Sequence, residues 1–362
     1  MNVSTAITVG LALLLASSPL HYNRLDSEIQ HIDNSLEYLR SRGLNAHDIA
    51  LYVIAKRFLG TPIPNEQAIV DYFNNEQAAD PYHAWSGAGT RMFTTYRVLM
   101  AYYYLNATPQ YNMDGFFSRY ATTEGVSNYI VNETKSDDRD AYHILYAWCL
   151  YYWQYPPWLN AFFARIEKNL DWTVNADFHK RTHILYSYVL ARRVFPNLNG
   201  IISATISEQH ADGSWLTLNR PIYSTSIQLT LLNQILRLYR YSRTYDVQRC
   251  ISRSAQWVYD NYKTQVATGK TCGYFGNTLT IEDALLSGIL CAEQNGLLNA
   301  GIDMTFQDIA SRLIARMLYA IGKAYGSVLG DAKYKPDLDI NGDGKIDLKD
   351  YYATCKNYSK SW

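Results

Sequence analysis

Residues 47–58 (HDIALYVIAKRF) and 183–194 (HILYSYVLARRV) align without a gap, and this repeat decides the predicted fold. The two segments share His, Tyr, Val, Ala and Arg at matched positions, and several of their other positions carry similar apolar residues. Residues 143–148 (HILYAW) and 97–102 (RVLMAY) follow the same template. Self-similarity of this kind indicates that one helical unit occurs several times along the chain.

Aromatic residues precede the repeated helices at a nearly constant interval. Trp85, Tyr129, Trp172 and Trp215 are 44, 43 and 43 residues apart, and Phe275 follows after 60. Such a period accommodates two helices and two loops. The predicted pairs are 25–42 with 46–59, 66–74 with 90–106, 113–121 with 140–154, 157–168 with 180–195, 199–208 with 223–241, and 246–263 with 282–295.

Each helical pair has an apolar face that it cannot bury alone, so neighbouring pairs must stack. We therefore predict an all-α fold in which six hairpins close into an (α/α)6 toroid over residues 25–303. An open solenoid is the alternative, but the chain shows no obvious polar capping repeat. No segment stands out for the alternation of apolar and polar residues that is typical of strands.

Composition limits the classes of partner. The 362 residues include 33 Lys+Arg and 33 Asp+Glu, and a chain without net charge is not expected to bind nucleic acid. Hydrophobic residues make up 48% of the chain, which is enough for a large core. No apolar run reaches the roughly 18 residues of a membrane span. The five cysteines have no CxxC spacing, so no zinc ribbon is indicated.

The amino terminus has the layout of a secretory signal. An apolar block, ITVGLALLLA at residues 7–16, is followed by Ser17, Ser18 and Pro19. We therefore predict a signal peptide over residues 1–18 and a secreted or cell-surface protein. Nothing basic precedes the block except the α-amino group, so a buried first helix is the alternative.

A calcium-binding pattern lies near the carboxyl terminus, at residues 339–350 (DINGDGKIDLKD). Side-chain oxygens at positions 1, 3 and 5 of such a loop converge on one hard cation, and the glycine at position 6 permits the sharp turn. Position 7 contributes its carbonyl, position 9 acts through a water, and position 12 completes the set. The predicted Ca²⁺ ligands are Asp339, Asn341, Asp343, Lys345, Asp347 and Asp350.

Aspartate in place of glutamate at position 12, together with the following helix, resembles a dockerin-type repeat of the style found in secreted archaeal proteins. A full dockerin has two calcium loops, whereas the preceding residues 305–325 offer only a helix and no second loop. The resemblance implies a dockerin-like module over residues 304–362, a possible cohesin-like protein partner, and an enzyme that degrades polysaccharide. The alternative is a calcium-stabilised helix packed on the toroid.

The repeats resemble those of the terpenoid cyclase and prenyltransferase toroid superfamily. The segment Asp212–Trp215 followed by residues 223–229 (YSTSIQL) carries this likeness, which covers single repeats and implies architecture alone. Residues 136–140 (SDDRD) are not the aspartate motif of a proton-initiated cyclase. Cys and His are likewise not spaced as in a prenyltransferase zinc site.

In a toroid, side chains at equivalent positions of the inner helices converge around the opening at one end of the ring. Imidazoles, carboxylates and a guanidinium gathered there would suit general acid–base catalysis. The predicted catalytic residues are His47, Arg97, Asp140, His143, His183, Glu282 and Asp283. Trp85, Trp172 and Trp215 are predicted to stack on sugar rings. The competing interpretation makes each His a relic of duplication, hydrogen-bonded between helices. A divalent metal held by His179 and His183, with His143 or Asp140 as the third ligand, is a weaker hypothesis because the Glu-containing zinc-protease motif is absent from the sequence.

Together these features predict a secreted enzyme that acts on a carbohydrate substrate. Paired carboxylates favour a glycoside hydrolase, whereas an Arg–His–Tyr group favours a polysaccharide lyase in which Arg neutralises a uronate carboxylate. A non-catalytic surface or scaffold protein is the second hypothesis. A terpenoid-cyclase-like enzyme is the third.

Overall fold

The structure is a computed structural model, and it is mostly helical. It describes residues 19–87, 91–121, 138–169, 178–193, 197–215, 221–222, 224–226, 228–229, 232, 244–281 and 302–360. The predicted signal peptide (1–18) and the predicted helix 282–295 lie outside these residues.

The helices occur where the periodicity predicts them, within a few residues at most ends. They are α1 (Pro19–Ser41), α2 (Ala46–Leu59), α3 (Glu66–Ala79), α4 (Arg91–Tyr104), α5 (Asp114–Tyr120), α6 (Asp138–Tyr152), α7 (Leu159–Asn169), α8 (Phe178–Leu190), α9 (Leu198–Ser207), α10 (Thr244–Asp260), α11 (Ile302–Ala324) and α12 (Leu348–Lys360). A short 3₁₀ helix spans Pro336–Leu338. Residues 221–222, 224–226, 228–229 and 232 are also helical.

Local sequence signals explain how α2 begins and ends. The Asn45 side chain accepts a hydrogen bond from the Asp48 N–H at the amino end. Gly60 ends the helix in the left-handed conformation with φ 68°, and its N–H donates to carbonyls of the last turn. The Asn45 cap therefore fixes where α2 begins, and it places His47 in the first turn of the helix.

Alternate helices form one row. Helix α2 packs on α4, α4 on α6, and α6 on α8. Neighbouring helices of the row contact each other near their amino ends. His47 contacts Phe93, Phe93 contacts His143, and His143 contacts His183, so the four helices run parallel. The amino ends of the row therefore meet on one side of the molecule.

The matched tyrosines of the repeat have matched roles. Tyr52 donates a hydrogen bond of 2.7 Å to Glu37 on α1, and Tyr188 donates one of 2.8 Å to Glu167 on α7. In each case a helix of the row is tied to the helix that precedes it in the chain. Sequence similarity between residues 47–58 and 183–194 thus corresponds to equivalent packing.

The structure contains a β-hairpin that the sequence reading did not predict. Strands β1 (Tyr262–Ala267) and β2 (Lys270–Phe275) pair antiparallel around Thr268 and Gly269, which have φ of 50° and 75°. Two residues with positive φ form the tight turn that matches the twist of a hairpin. The expectation that residues 246–263 are helical is corrected, because α10 ends at Asp260 and residues 262–263 belong to β1.

The hairpin packs on the first described helix of the chain. Asn34 donates to the Thr271 carbonyl at 2.8 Å, and Ser35 donates to the Gly273 carbonyl at 2.6 Å. A Cβ on Gly273 would lie 2.9 Å from His31 Cβ, so only glycine permits this approach. Segments more than 230 residues apart in the chain are thereby held together.

Helix α11 joins two hydrophobic clusters. Ile309 and Leu313 belong to the main core, which extends from α1 onward, whereas Ile321 packs with Leu338 and Ile346 of the carboxyl-terminal segment. The predicted domain boundary at residue 304 falls within the first turn of this helix, and the division into two domains stays a prediction. Among the described residues, no helix combines the length and apolarity needed to cross a membrane.

Candidate functional site

The amino ends of the row bring His47, Arg97, His143 and His183 together around aromatic rings. Phe93 is the common neighbour: its ring centroid is 5.1 Å from that of His47 and 4.9 Å from that of His143, and the Arg97 guanidinium carbon is 5.1 Å from it. The structure therefore groups four residues that the sequence placed at equivalent positions of the repeat.

His47 is held by its neighbour in the chain. Its Nδ1 lies 3.2 Å from Asp48 Oδ1, and the side chain is almost fully buried. A carboxylate at Nδ1 fixes the orientation of the ring and favours a proton on that nitrogen. Nε2 is buried and has no hydrogen-bond partner.

Arg97 lies over two rings. Its guanidinium carbon is 5.1 Å from the centroids of both Phe93 and Tyr96, a geometry that attracts a cation to the ring faces. Its Nε and Nη1 atoms are buried without a hydrogen-bond acceptor. The faces of the two rings thus stabilise the guanidinium, while its Nε and Nη1 atoms donate no hydrogen bond.

His143 and His183 continue the cluster on α6 and α8. Their rings meet edge to face at 4.8 Å, and Tyr142 stacks on His183 at 5.9 Å. Tyr96 stacks on His143 at 5.6 Å. The result is a continuous layer of imidazole and phenol rings across three helices.

Tyrosines contribute to this layer more than the sequence indicated. Tyr96, Tyr142 and Tyr146 all contact the His residues. Burial raises the pKa of Tyr96 and raises that of Tyr146 well above its ordinary value, so both phenols stay protonated near neutral pH. Phe93 was also missed, although its place four residues before Arg97 puts it on the same helix face.

The residues of the site differ in how far they are buried. His47 and His143 are 2% and 4% exposed, whereas Phe93, Arg97 and His183 are half-buried. A polar ligand would therefore meet Arg97 and His183 before it reached the buried imidazoles. No carboxylate pair is described here: Asp140 lies in α6 without a described side chain, and Glu282 and Asp283 lie outside the described residues, as does the side chain of His179.

The predicted sugar-stacking tryptophans have a different environment. Trp85 and Trp215 are each 1% exposed, and their indole N–H groups donate to the carbonyls of Phe73 and Thr205 at 2.8 and 2.9 Å. A ring enclosed in this way has no face open to a sugar, so the structure places both residues in the core. Trp172 lies outside the described residues.

The carboxyl-terminal loop folds with its oxygens turned inward. Asp339 accepts hydrogen bonds from the N–H groups of Asp343 and Gly344, and Asn341 accepts one from Asp343. Gly342 and Gly344 have φ of 71° and 79°, which only glycine adopts readily. The loop therefore has the curvature that side-chain oxygens at positions 1, 3 and 5 require.

The charges of this loop suit a cation. The hydrogen bond from Tyr334 is the main reason that the pKa of Asp339 is lowered, and the Lys349 ammonium, 2.8 Å from Asp343, lowers that of Asp343. Asp350 is buried and accepts N–H groups of Ile340, Asn341 and Asp347, so it closes the loop. Asp347 caps α12 by accepting the N–H of Lys349, and the Lys345 side chain makes no described contact.

In the described part of the chain, no three or more His, Cys, Asp or Glu side chains are arranged to hold a metal ion. The loop at residues 339–350 would also use amide and carbonyl oxygens as ligands. Cys149, Cys250, Cys272 and Cys355 are free thiols, and burial raises the pKa of Cys149.

Comparisons with protein families, with characterised proteins and with solved structures gave no match for this chain. The function of this chain is therefore inferred from the geometry of its two candidate sites.

Proposed function

We propose that the chain is an (α/α)6 toroid, in which six helical hairpins close into a ring. Two sets of contacts support closure: those between successive helices of the row from α2 to α8, and those between β2 and α1. An open solenoid would leave α1 and the hairpin at opposite ends, without the hydrogen bonds of Asn34 and Ser35. Closure is also consistent with the amino ends of α2, α4, α6 and α8 lying on one side of the molecule.

On this architecture, the protein is a secreted or cell-surface enzyme that acts on polysaccharide. One observation carries this proposal. A tyrosine-rich layer at the amino ends of α2, α4, α6 and α8 brings together four basic side chains: His47, Arg97, His143 and His183. Imidazoles supply general acid–base groups, and a guanidinium supplies charge stabilisation. The dockerin-like module at residues 304–362, called the tail below, supports a carbohydrate substrate, because the resemblance to dockerins implies an enzyme that degrades polysaccharide.

A turnover screen of the full chain, with calcium present, tests this function. Neutral and uronic-acid polysaccharides are incubated with the enzyme, and both new reducing ends and ultraviolet absorbance are followed. We expect at least one polymer to be cleaved. Reducing ends without absorbance mean hydrolysis, whereas absorbance means an unsaturated uronate from a lyase. Absence of cleavage across the panel contradicts the enzyme proposal.

The tail is proposed to bind one Ca²⁺ through Asp339, Asn341, Asp343, the Lys345 carbonyl, Asp347 and Asp350. Its support is the inward set of oxygens and the lowered pKa of Asp339 and Asp343, since the ionised carboxylate is the form that binds calcium. The bound ion would supply charge compensation for four carboxylates in twelve residues. Its proposed role is structural, because α11, the helix that leads into the tail, places Arg312 over Tyr103 and Trp153 at the carboxyl ends of α4 and α6, away from the candidate site at their amino ends.

Calcium is expected to stabilise the tail by about 2.7 kcal/mol when its concentration is 100 times the dissociation constant. The measurement is thermal unfolding of the full chain with calcium and with chelator. Asp343→Asn should reduce the calcium-dependent shift, whereas Asp337→Asn, an exposed carboxylate outside the loop, should leave it intact. An equal shift in wild type and Asp343→Asn would count against this site.

The alternative function, a non-catalytic surface or scaffold protein, is favoured by one observation. The tail region exposes large apolar side chains, including Tyr319, Tyr325, Leu329, Leu348 and Tyr352, each at least 59% exposed. Such side chains are typical of a contact surface for another protein. A titration with purified cohesin domains, in calcium and in chelator, tests this alternative and the proposed cohesin-like partner.

A further inference from the structure

We propose that Arg97 and His47 form a carboxylate receptor with an adjacent base, and that the polysaccharide is therefore a polyuronate cleaved by β-elimination. This inference rests on the proposed enzymatic function and specifies its substrate and reaction. It begins with the state of Arg97. A guanidinium is always charged, and it binds carboxylates through paired N–H groups.

Among the residues that the structure describes, no carboxylate pairs with Arg97. Nε and Nη1 of Arg97 are buried, and neither has an acceptor. The buried cation Lys56, by contrast, is paired with Asp33 and Glu37, at 2.6 and 3.0 Å. Since burial of an unpaired charge is costly, Arg97 is poised for an anion from outside. The residue as a whole is half-buried, so it lies at the margin of the core and not at its centre.

The candidate base adjoins the same phenylalanine ring as Arg97. Phe93 contacts the His47 ring and the Arg97 guanidinium, each at 5.1 Å. Asp48 holds Nδ1 of His47, and the unpartnered Nε2 is left as the acceptor. His47 is thus a catalytic candidate, and Asp48 is a positioning residue that orients it.

These two groups match the two requirements of uronate β-elimination. Arg97 neutralises the carboxylate, which makes the proton on the adjacent ring carbon C5 more acidic and stabilises the enolate-like charge. His47 Nε2 takes that proton, the electron pair forms the C4=C5 double bond, and the C4–O bond to the neighbouring sugar breaks. The departing oxygen takes up a proton from water. No oxidant or reductant is needed.

The test uses pairs of polymers that differ only in the carboxylate. Galacturonan, alginate and glucuronan are each compared with their carboxyl-reduced, neutral forms, and ultraviolet absorbance reports the double bond. We expect cleavage of at least one polyuronate and of none of the reduced polymers. Arg97→Gln should lower kcat/KM about 100-fold, the loss typical for one charge-stabilising donor. Arg97→Lys should lose less because it keeps the charge without the fork.

Matched variants separate recognition from folding. Arg119→Gln removes an exposed guanidinium that also lies over two rings, Tyr82 and Tyr120, and should leave the activity unchanged. His47→Gln should lower kcat by at least about 100-fold with little change in KM. Asp48→Asn should lower kcat less than His47→Gln and retain KM. Thermal unfolding of each variant shows whether it is folded.

The outcomes distinguish this inference from the enzyme proposal. Cleavage of neutral polymers alone, with Arg97→Gln as active as wild type, would overturn the receptor while the enzyme proposal stands. Binding of a uronate oligosaccharide that Arg97→Gln abolishes, without any cleavage, would support the receptor and contradict both the elimination step and the enzyme proposal. Equal binding of a sulfated neutral polysaccharide would overturn the specificity for carboxylate.

Discussion

Replacing Lys56 with Met is expected to destabilise the protein by about 3–5 kcal/mol, the typical loss when one partner of a buried ion pair is removed. The Lys56 side chain is 2% exposed, and its ammonium lies between Asp33 and Glu37 of α1, at 2.6 and 3.0 Å. Tyr52 and Thr61 donate further hydrogen bonds to the same two carboxylates. Denaturant unfolding, followed by circular dichroism, measures the change.

The adjacent arginine is the control. Arg57 pairs with Glu66 at 2.9 Å, but both side chains are more than a third exposed. Arg57→Met should therefore change the stability by less than about 1 kcal/mol. Combining Lys56→Met with Asp33→Asn and Glu37→Gln should recover part of the loss, because no unpaired charge remains. Similar effects of Lys56→Met and Arg57→Met would contradict this account.

The same network has a consequence for stability in acid. Burial acts to raise the pKa of Glu37, but hydrogen bonds from Tyr52 and Lys56, together with nearby positive charge, lower it below its ordinary value of 4.5. A carboxyl with a lowered pKa stabilises the fold above its unfolded pKa, and this contribution is lost as pH falls through the folded pKa. In Lys56→Met the loss of stability between neutral and acid pH should accordingly be smaller.

Truncating either buried tryptophan is expected to have an effect of similar size. Trp85→Ala and Trp215→Ala should each cost about 3–5 kcal/mol, because each removes a large ring from the core. Each indole also donates to a carbonyl of the preceding helix in the chain, at 2.8 Å for Trp85 and 2.9 Å for Trp215. The unfolding midpoint in denaturant is the measurement.

Two controls separate a core role from a sugar-binding role. Tyr352→Ala, at a residue 67% exposed, should change stability by less than about 0.5 kcal/mol. Trp215→Phe should lose less than Trp215→Ala, since most of the ring volume remains. If either tryptophan variant kept wild-type stability and lost only affinity for polysaccharide, the placement of that ring in the core would be contradicted.

The helical units and the residues that they share could be predicted from the sequence. Periodicity located α1 to α9 closely because an amphipathic helix leaves a local pattern, and the repeat matched His47 with His143 and His183. The hairpin at residues 262–275 was missed because its strands lack clear alternation. Its register depends on packing against α1, which lies more than 230 residues away in the chain.

What the sequence determined by itself is therefore local: helix positions, the equivalence of repeats, and the oxygen-bearing spacing at residues 339–350. Only the tertiary structure decided which equivalent residues meet. Trp85 and Trp215 occupy repeat positions as regular as that of His47, yet their rings are enclosed in the core. Phe93 joins Arg97 to two imidazoles only through the contacts of α4 with α2 and α6. Burial and side-chain neighbours depend on contacts between distant segments, and periodicity carries no information about those contacts.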